Sequence, residues 1–208
     1  NTLQDLERFI NEPQVEMDPI VRAALVHYQF ETAHPFLDGN GRLGRLLITL
    51  MLINDGVLHS CLFYPSFQFK KNRSEYYRQL TSVRERGTYE EWIEFFCNSL
   101  LESAKDSVGS LKNLVDLHNR STATITENLG RTAANGQRLL GILEEHPIVD
   151  TAFIAAQLDI GRSTASSLVK SFEELGILRP LDESRQRYRQ YGYEEYLSIL
   201  REDAEPIR

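Results

Sequence analysis

The stretch H-P-F-L-D-G-N-G-R-L-G-R, residues 34–45, decides the fold, because a long apolar helix is predicted to begin inside it. From Leu43 the chain continues as L-G-R-L-L-I-T-L-M-L-I-N-D, which is apolar on nearly every side of a helix. Such a pattern predicts a helix buried at the centre of a domain. Its N-terminus would then be held in a fixed place.

The start of this helix has the properties of an anion site. The first backbone N–H groups of a helix have no intrahelical acceptor, and they carry the positive end of the helix dipole. Gly39, Asn40 and Gly41 stand at this start, and glycines let the backbone curl closely around an anion. The pattern therefore predicts a phosphate site, and a nucleotide polyphosphate is the expected guest.

Four side chains near this turn suggest chemistry on that polyphosphate. Arg42 and Arg45 are three residues apart, so on a helix they point to roughly the same side and could hold two phosphates. Asp38 offers a hard oxygen ligand for Mg²⁺. His34 can accept a proton near neutral pH. Together they suggest that part of a nucleotide is transferred to a hydroxyl, although the residues alone do not choose which phosphorus is attacked.

Two better-known phosphate motifs fit less well. Residues 39–44 match G-x-G-x-x-G, but the dinucleotide fingerprint requires a preceding strand, and E-T-A-H-P-F follows a helical segment here. The same glycines match the beginning of G-x-x-x-x-G-K-[ST], but Arg45 and Leu46 stand where that motif needs Lys and Ser or Thr. Neither motif accounts for the stretch.

The stretch instead resembles the signature of Fic-domain proteins, H-P-F-x-[D/E]-G-N-G-R-x-x-R, at every specified position. The resemblance implies an enzyme that transfers AMP from ATP to a Ser, Thr or Tyr hydroxyl of a target protein and releases pyrophosphate. It also implies a mainly α domain, with a hairpin that aligns the target and precedes the helices present here. The N-terminal part of the domain is therefore expected to lie outside this sequence.

The resemblance also assigns roles to individual residues. His34 would be the general base, Asp38 the Mg²⁺ ligand, and Phe36 the anchor of the loop in the core. The anion hole and the phosphate grip are implied for five further residues: Gly39, Asn40, Gly41, Arg42 and Arg45. Fic proteins often carry an inhibitory helix with [S/T]-x-x-x-E-[G/N], and S-I-L-R-E-D at residues 198–203 matches only its first part. We treat that match as coincidental.

Composition narrows the other possibilities. The chain has 208 residues, 41% of them hydrophobic, and a formal net charge of −7, which argues against general affinity for nucleic acid or a membrane surface. The two cysteines, Cys61 and Cys97, have no spacing typical of a zinc site or a disulfide framework. No apolar run spans a bilayer and no signal peptide opens the chain, so a cytoplasmic location is expected. The first residue is Asn, which suggests a trimmed or partly covered protein.

Flanking segments complete the predicted first domain. Asp18-Pro19 is a typical helix start, and the helix that follows reaches His34. His27 lies on this helix among apolar residues and is predicted to be packed rather than a ligand. A later segment, N-R-S-E-Y-Y-R-Q-L, resembles the Fic helix that lines the nucleotide base, which implies a stacking role for Tyr77 more than for Tyr76. An aromatic stripe beginning at Trp92 predicts a core helix.

The C-terminal part is predicted to be a separate domain. The helical pattern fades in the Ser/Thr-rich stretch near residues 120–134, so we place a Fic catalytic domain at 1–125 and a second domain at 126–208. Three helices followed by two short strands resemble a winged helix-turn-helix, with S-T-A-S-S-L-V-K-S-F-E-E-L as its third helix.

The sequence alone is compatible with more than one partner of the second domain. Residues 131–208 hold ten Lys or Arg and thirteen Asp or Glu, and Lys170 is the one cation of the third helix's exposed face. Arg185, Arg187 and Arg189 in the predicted wing favour DNA. A protein contact or a homodimer surface is at least as compatible with the charge. The candidate functions are thus an AMP transferase, a relative that transfers another phosphate-containing group, and a DNA-binding regulator with a nucleotide sensor.

Overall fold

The computed structural model describes residues 2–12, 16–59, 65–182, 184 and 189–202. Within these ranges the chain is mainly α-helical, as the sequence predicted, with one small sheet near its C-terminal end. The helices are α1 Thr2–Asn11, α2 Pro19–Ala33, α3 Asn40–Asn54, α4 Ser66–Lys71, α5 Arg73–Arg86, α6 Tyr89–Asn128, α7 Ala133–Glu145, α8 Thr151–Leu158, α9 Arg162–Glu174 and α10 Glu194–Glu202.

The chain forms two compact units, which meet within α6: one ends at Val108 and the other begins at Gly109. The sequence placed the domain boundary later, after residue 125. Two of the reasons lie in the last turns of α6, where Leu117 and Ile125 are buried in the core of the second unit. Burial of these side chains keeps the Ser/Thr-rich stretch helical, although its composition alone is typical of a linker.

The first unit has a core of side chains from α1 to α6. Trp92 and Phe96 of α6 are fully buried at its centre, and the indole Nε1 donates a hydrogen bond to the carbonyl of Ala24 at 3.0 Å. The aromatic stripe is therefore core, as predicted. On the opposite side of α2, Arg22 donates to both carboxylate oxygens of Asp55 at 2.5 and 2.6 Å, which ties α2 to the end of α3.

Helix α3 packs against α2, but it is not buried all round. Ile48 and Leu52 lie in the core, whereas Leu43, Leu46 and Leu50 are 41%, 52% and 50% exposed. The prediction of burial on nearly every side is therefore wrong. An apolar sequence shows that a helix can be buried, but the number of neighbours decides how many of its faces are covered, and the face with these three leucines is left exposed.

The second unit contains α7, α8, α9 and a three-stranded antiparallel sheet of order β1-β3-β2. Its strands are β1 Ile148–Asp150, β2 Arg179–Pro180 and β3 Gln190–Gly192. Strand β1, which the sequence analysis missed, pairs with β3 and precedes α8, whose N-terminus is capped by the Asp150 carboxylate at 2.8 Å from the Phe153 N–H. The predicted wing residues Arg185 and Arg187 lie outside the described residues.

Candidate active site

The turn between α2 and α3 positions the predicted site residues. Asp18 caps the start of α2 by accepting from the N–H groups of Ile20 and Val21 at 2.8 and 3.3 Å. At the other end His34 is the C-cap residue, with φ 43° and ψ 57°, and its N–H donates to the Phe30 carbonyl at 3.0 Å. His34 therefore sits in a left-handed conformation that is uncommon for a residue with a side chain.

The loop that follows is held by Asn40. The Asn40 side chain is buried, its Oδ1 accepts from the Phe36 N–H at 2.9 Å, and its Nδ2 donates to the Phe36 carbonyl at 2.6 Å. The amide therefore braces the loop, and only the Asn40 backbone N–H remains for an anion. The expected core anchor, Phe36, is 51% exposed and has an aromatic contact with Phe30, at 6.5 Å between ring centroids. That prediction is wrong, because the asparagine amide fixes this loop instead.

Helix α3 begins at the glycines, where the sequence analysis predicted its N-terminus. Gly39 is the N-cap residue with φ 83°, a conformation that suits glycine, and its carbonyl accepts from the Leu43 N–H at 3.0 Å. The N–H groups of Asn40, Gly41 and Arg42 precede this first intrahelical bond, so they have no acceptor within the helix. Three N–H groups and the helix dipole thus converge at one point.

The two arginines of the site differ in how firmly they are held. Arg45 is half-buried, and its Nε donates to Ser66 Oγ at 3.2 Å. The Arg42 side chain is 78% exposed, and its Nη2 lies 3.5 Å from Asp38 Oδ2. Asp38 Oδ1 accepts from the Gly39 N–H at 2.6 Å, so this carboxylate lies at the start of α3 and faces solvent.

Sequence reasoning missed a buried acid beneath the turn. Glu31 of α2 is 8% exposed, and its Oε1 is buried without a hydrogen-bond partner among the described residues. Burial raises the pKa of Glu31, against the opposing effect of Arg45, His34 and Arg84. His34 and Arg45 therefore both lie within electrostatic reach of the same carboxyl group. Its periodic position on α2 could have indicated burial, but the partner helix could not be read from sequence.

His27 is packed, as predicted. Its ring lies 5.8 Å from the Phe69 ring and 6.1 Å from the Trp92 ring, centroid to centroid, and its Nε2 forms a 3.0 Å hydrogen bond with the Tyr76 hydroxyl. Burial lowers the pKa of His27 to about 4, so the imidazole is neutral near pH 7. Gly44 of α3 lies next to His27 and Glu31. A Cβ added at Gly44 would be 2.6 Å from Glu31 Oε1.

The predicted base-stacking residue, Tyr77, has its described ring contacts within its own helix, α5. Tyr77 on α5 is half-exposed, the Arg73 guanidinium lies 5.7 Å from its ring centroid, and the Tyr76 ring packs edge-on at 5.2 Å. Tyr76 itself is buried in the core, as the sequence favoured. The stacking role of Tyr77 stays a prediction. Within the described residues no group of three or more His, Cys, Asp or Glu side chains could hold a metal ion.

Comparisons with known proteins agree with this geometry. Residues 1–52 match the model of the Fic/DOC family. The chain is 34% identical over 111 residues to protein adenylyltransferase fic-1 of Caenorhabditis briggsae, a match that covers 53% of this chain and 20% of the relative. It is 36% identical over 97 residues to protein adenylyltransferase Fic of Drosophila ananassae, covering 46% of this chain and 18% of that relative. The chain thus spans about a fifth of the length of the curated relatives it matches.

A solved structure extends the likeness to the fold. A Fic family protein from Desulfovibrio desulfuricans G20 superimposes with a TM-score of 0.50 at 22% identity, covering 92% of this chain and 53% of that one. A helical domain in which a glycine-containing turn joins two packed helices is thus the class that the fold defines. Residues 1–52 are similar to the Fic/DOC family, and the relatives that the chain matches are named protein adenylyltransferases.

Proposed function

We propose that the protein transfers AMP from ATP to a Ser, Thr or Tyr hydroxyl of a target protein and releases pyrophosphate. The observation that carries the proposal is the N-terminus of α3, where three backbone N–H groups without helical acceptors meet the Arg45 guanidinium. This arrangement suits a polyphosphate, because phosphate groups bind both helix N-termini and planar guanidinium groups. Relatives named protein adenylyltransferase support the choice of AMP.

The proposed reaction needs a base near the polyphosphate. The target hydroxyl attacks the α-phosphorus, the bond from that phosphorus to the bridging oxygen breaks, and the pair of outer phosphates leaves with the bond's electrons. His34 Nδ1 or Nε2 accepts the proton of the hydroxyl. The position of His34 supports this role, because it is the C-cap residue of α2 and is followed directly by the loop, braced by Asn40, that leads to the start of α3.

Asp38 is the residue that would hold Mg²⁺. Its exposed carboxylate lies at the start of α3, which fits a hard cation that arrives with a triphosphate and keeps water and phosphate oxygens as its other ligands. When bound, Mg²⁺ would neutralise charge on the phosphates. Arg42, which already contacts Asp38, would turn to an outer phosphate, while Arg45 and the helix N–H groups hold the rest.

Labelling with radioactive ATP tests the proposal. ATP labelled at the α-phosphate should transfer label to protein in a lysate, whereas ATP labelled at the γ-phosphate should not. His34→Ala should lose label by about 10²- to 10⁴-fold, as expected for removal of a general base, and should still bind ATP. His59→Ala, at another exposed histidine, is the matched control. Label from the γ-phosphate would instead support a relative that transfers that group, and undiminished labelling by His34→Ala would refute the base.

For the second unit we propose a winged-helix-like domain that contacts protein, either a target or a second copy of the chain, rather than DNA. Three helices with a small antiparallel sheet support the fold. The exposed face of α9 offers mainly hydroxyls, and its cations are Arg162 at the start of the helix and Lys170, whose Nζ lies 3.8 Å from the Glu174 carboxylate. Fluorescence anisotropy with duplex DNA at low and high salt should show no salt-dependent binding, and a steep salt slope would favour DNA.

The requirement for ATP is our argument for a cytoplasmic location. Among the helices of the described ranges, none is long and apolar enough to cross a bilayer.

A further inference from the structure

The contacts of Arg45 reach beyond the signature stretch. Its Nε donates to the hydroxyl of Ser66, the first residue of α4, at 3.2 Å. Ser66 is 21 positions away in sequence and belongs to no motif of the sequence analysis. A hydrogen bond to a charged group contributes more than one between neutral groups, so this contact can select one orientation of a long side chain.

The other edge of the same guanidinium lies close to Gly41. A Cβ placed on Gly41 would lie 3.1 Å from Arg45 Nη1 and 3.8 Å from Nη2. Arg45 therefore folds back over the first turn of α3, towards the N–H groups that form the anion site. Ser66 occupies Nε, so Nη1 and Nη2 remain to face the anion.

We propose that Ser66 is a positioning residue that orients Arg45, so that the guanidinium meets the polyphosphate end-on through its two terminal nitrogens. The inference rests on the proposed function, because it needs a polyphosphate at the tip of α3. Arg42 supplies the contrast: its side chain is 78% exposed and its contact is with Asp38 at 3.5 Å. Ordering a side chain on binding costs free energy. Arg45 is already ordered by its contacts in the free protein, so ligand binding does not incur this cost.

Two substitutions at Ser66 test the role. Ser66→Ala removes the acceptor and should raise both the Kd and the KM for ATP by about tenfold or more, as expected for one hydrogen bond to a charged group. Its kcat should change by less than about twofold, because Ser66 does not touch the reacting atoms. Ser66→Thr keeps a hydroxyl and should restore both constants. Ser198→Ala is the control, since that exposed hydroxyl bonds the Glu195 carbonyl in the second unit.

A double-mutant cycle shows whether Ser66 acts through Arg45. Arg45→Ala should itself weaken ATP binding, and adding Ser66→Ala to it should cause no further loss. A further loss of fivefold or more, or an unchanged Kd in Ser66→Ala alone, would overturn the inference. Fluorescence of Trp92, the single tryptophan and fully buried in the first unit, reports whether each variant is folded.

The same experiment separates this inference from the proposed function. If the wild-type protein binds ATP and transfers label while Ser66→Ala behaves identically, only the positioning role fails. If the wild-type protein binds no ATP, the proposed function fails and the inference falls with it.

Discussion

Replacement of Gly44 by alanine should destabilise the first unit, although alanine is the better helix former. The added Cβ would lie 2.6 Å from Glu31 Oε1, 3.1 Å from His27 Cε1 and 3.2 Å from His27 Nδ1. The imidazole cannot easily retreat, because it lies between the Phe69 and Trp92 rings and is bonded to Tyr76. At Gly44, α3 therefore lies so close to Glu31 and His27 of α2 that an added side chain would meet both.

The magnitude follows from two opposing effects. Replacing glycine by alanine inside a helix stabilises by about 1 kcal/mol when nothing is in the way. Forcing a methyl group into a packed site costs about 1–3 kcal/mol. We therefore expect Gly44→Ala to lower the free energy of unfolding by up to about 2 kcal/mol, which is about 1–3 kcal/mol below the value for a helix glycine whose added methyl group meets nothing. The matched control is Gly109→Ala in α6, where an added Cβ meets nothing within 4 Å, and which should be neutral or stabilising.

The measurement is urea unfolding followed by far-UV circular dichroism, which reads the helices of both units, with Trp92 fluorescence as a second signal from the first unit. Adding Glu31→Ala should recover part of the loss in the Gly44→Ala background, because it removes the closest of the three contacts. The reasoning is refuted if Gly44→Ala is as stable as Gly109→Ala. It is equally refuted if Glu31→Ala destabilises the Gly44→Ala variant as much as it destabilises the wild type.

Three other outcomes follow from described contacts. The pKa of His27 is lowered from 6.5 to about 4. Its contribution to stability is therefore complete above pH 6.5 and falls by up to about 3 kcal/mol as the pH drops to 4. His27→Gln should reduce this loss, which urea midpoints measured from pH 7.5 to 4 would show. Glu31, with its raised pKa, acts in the opposite direction, since its contribution is complete below pH 4.5 and is lost as the pH rises through its folded value. Asp55→Ala should cost about 3 kcal/mol by leaving Arg22 charged and largely buried, and an unchanged thermal midpoint would contradict this. Tyr193→Phe should cost about 1 kcal/mol in the second unit by removing the 2.8 Å bond to Ser121, which calorimetry can check.

The sequence predicted what depends on local chemistry. The Asp18-Pro19 start of α2, the start of α3 at the glycines and the aromatic stripe of α6 all follow from caps, turns and periodicity, and the structure confirms them. The N–H groups without a helical acceptor were predictable for the same reason, since they belong to consecutive residues at the start of α3.

Features that depend on distant neighbours could not be predicted. Ser66 and Glu31 matter because of the elements packed beside them. The period of α2 can indicate that Glu31 is buried, but it does not show what Glu31 contacts. The end of α6 was missed because Thr124 and Thr126 satisfy their hydroxyls on carbonyls four residues earlier, while Ile125 between them is fully buried. The sequence analysis gave the Asn40 side chain no role, and its amide bonds to the Phe36 backbone, a pairing that only the folded loop reveals.

The left-handed backbone at His34 limits which residues can replace it. Glycine and asparagine tolerate this conformation, whereas a β-branched residue such as valine would be forced to unwind the last turn of α2 and displace the loop behind it. An inactive protein for trapping partners is therefore best made as His34→Asn or His34→Gly. If position 34 is randomised, the variants that fold should carry mainly residues that tolerate a left-handed backbone, such as glycine and asparagine.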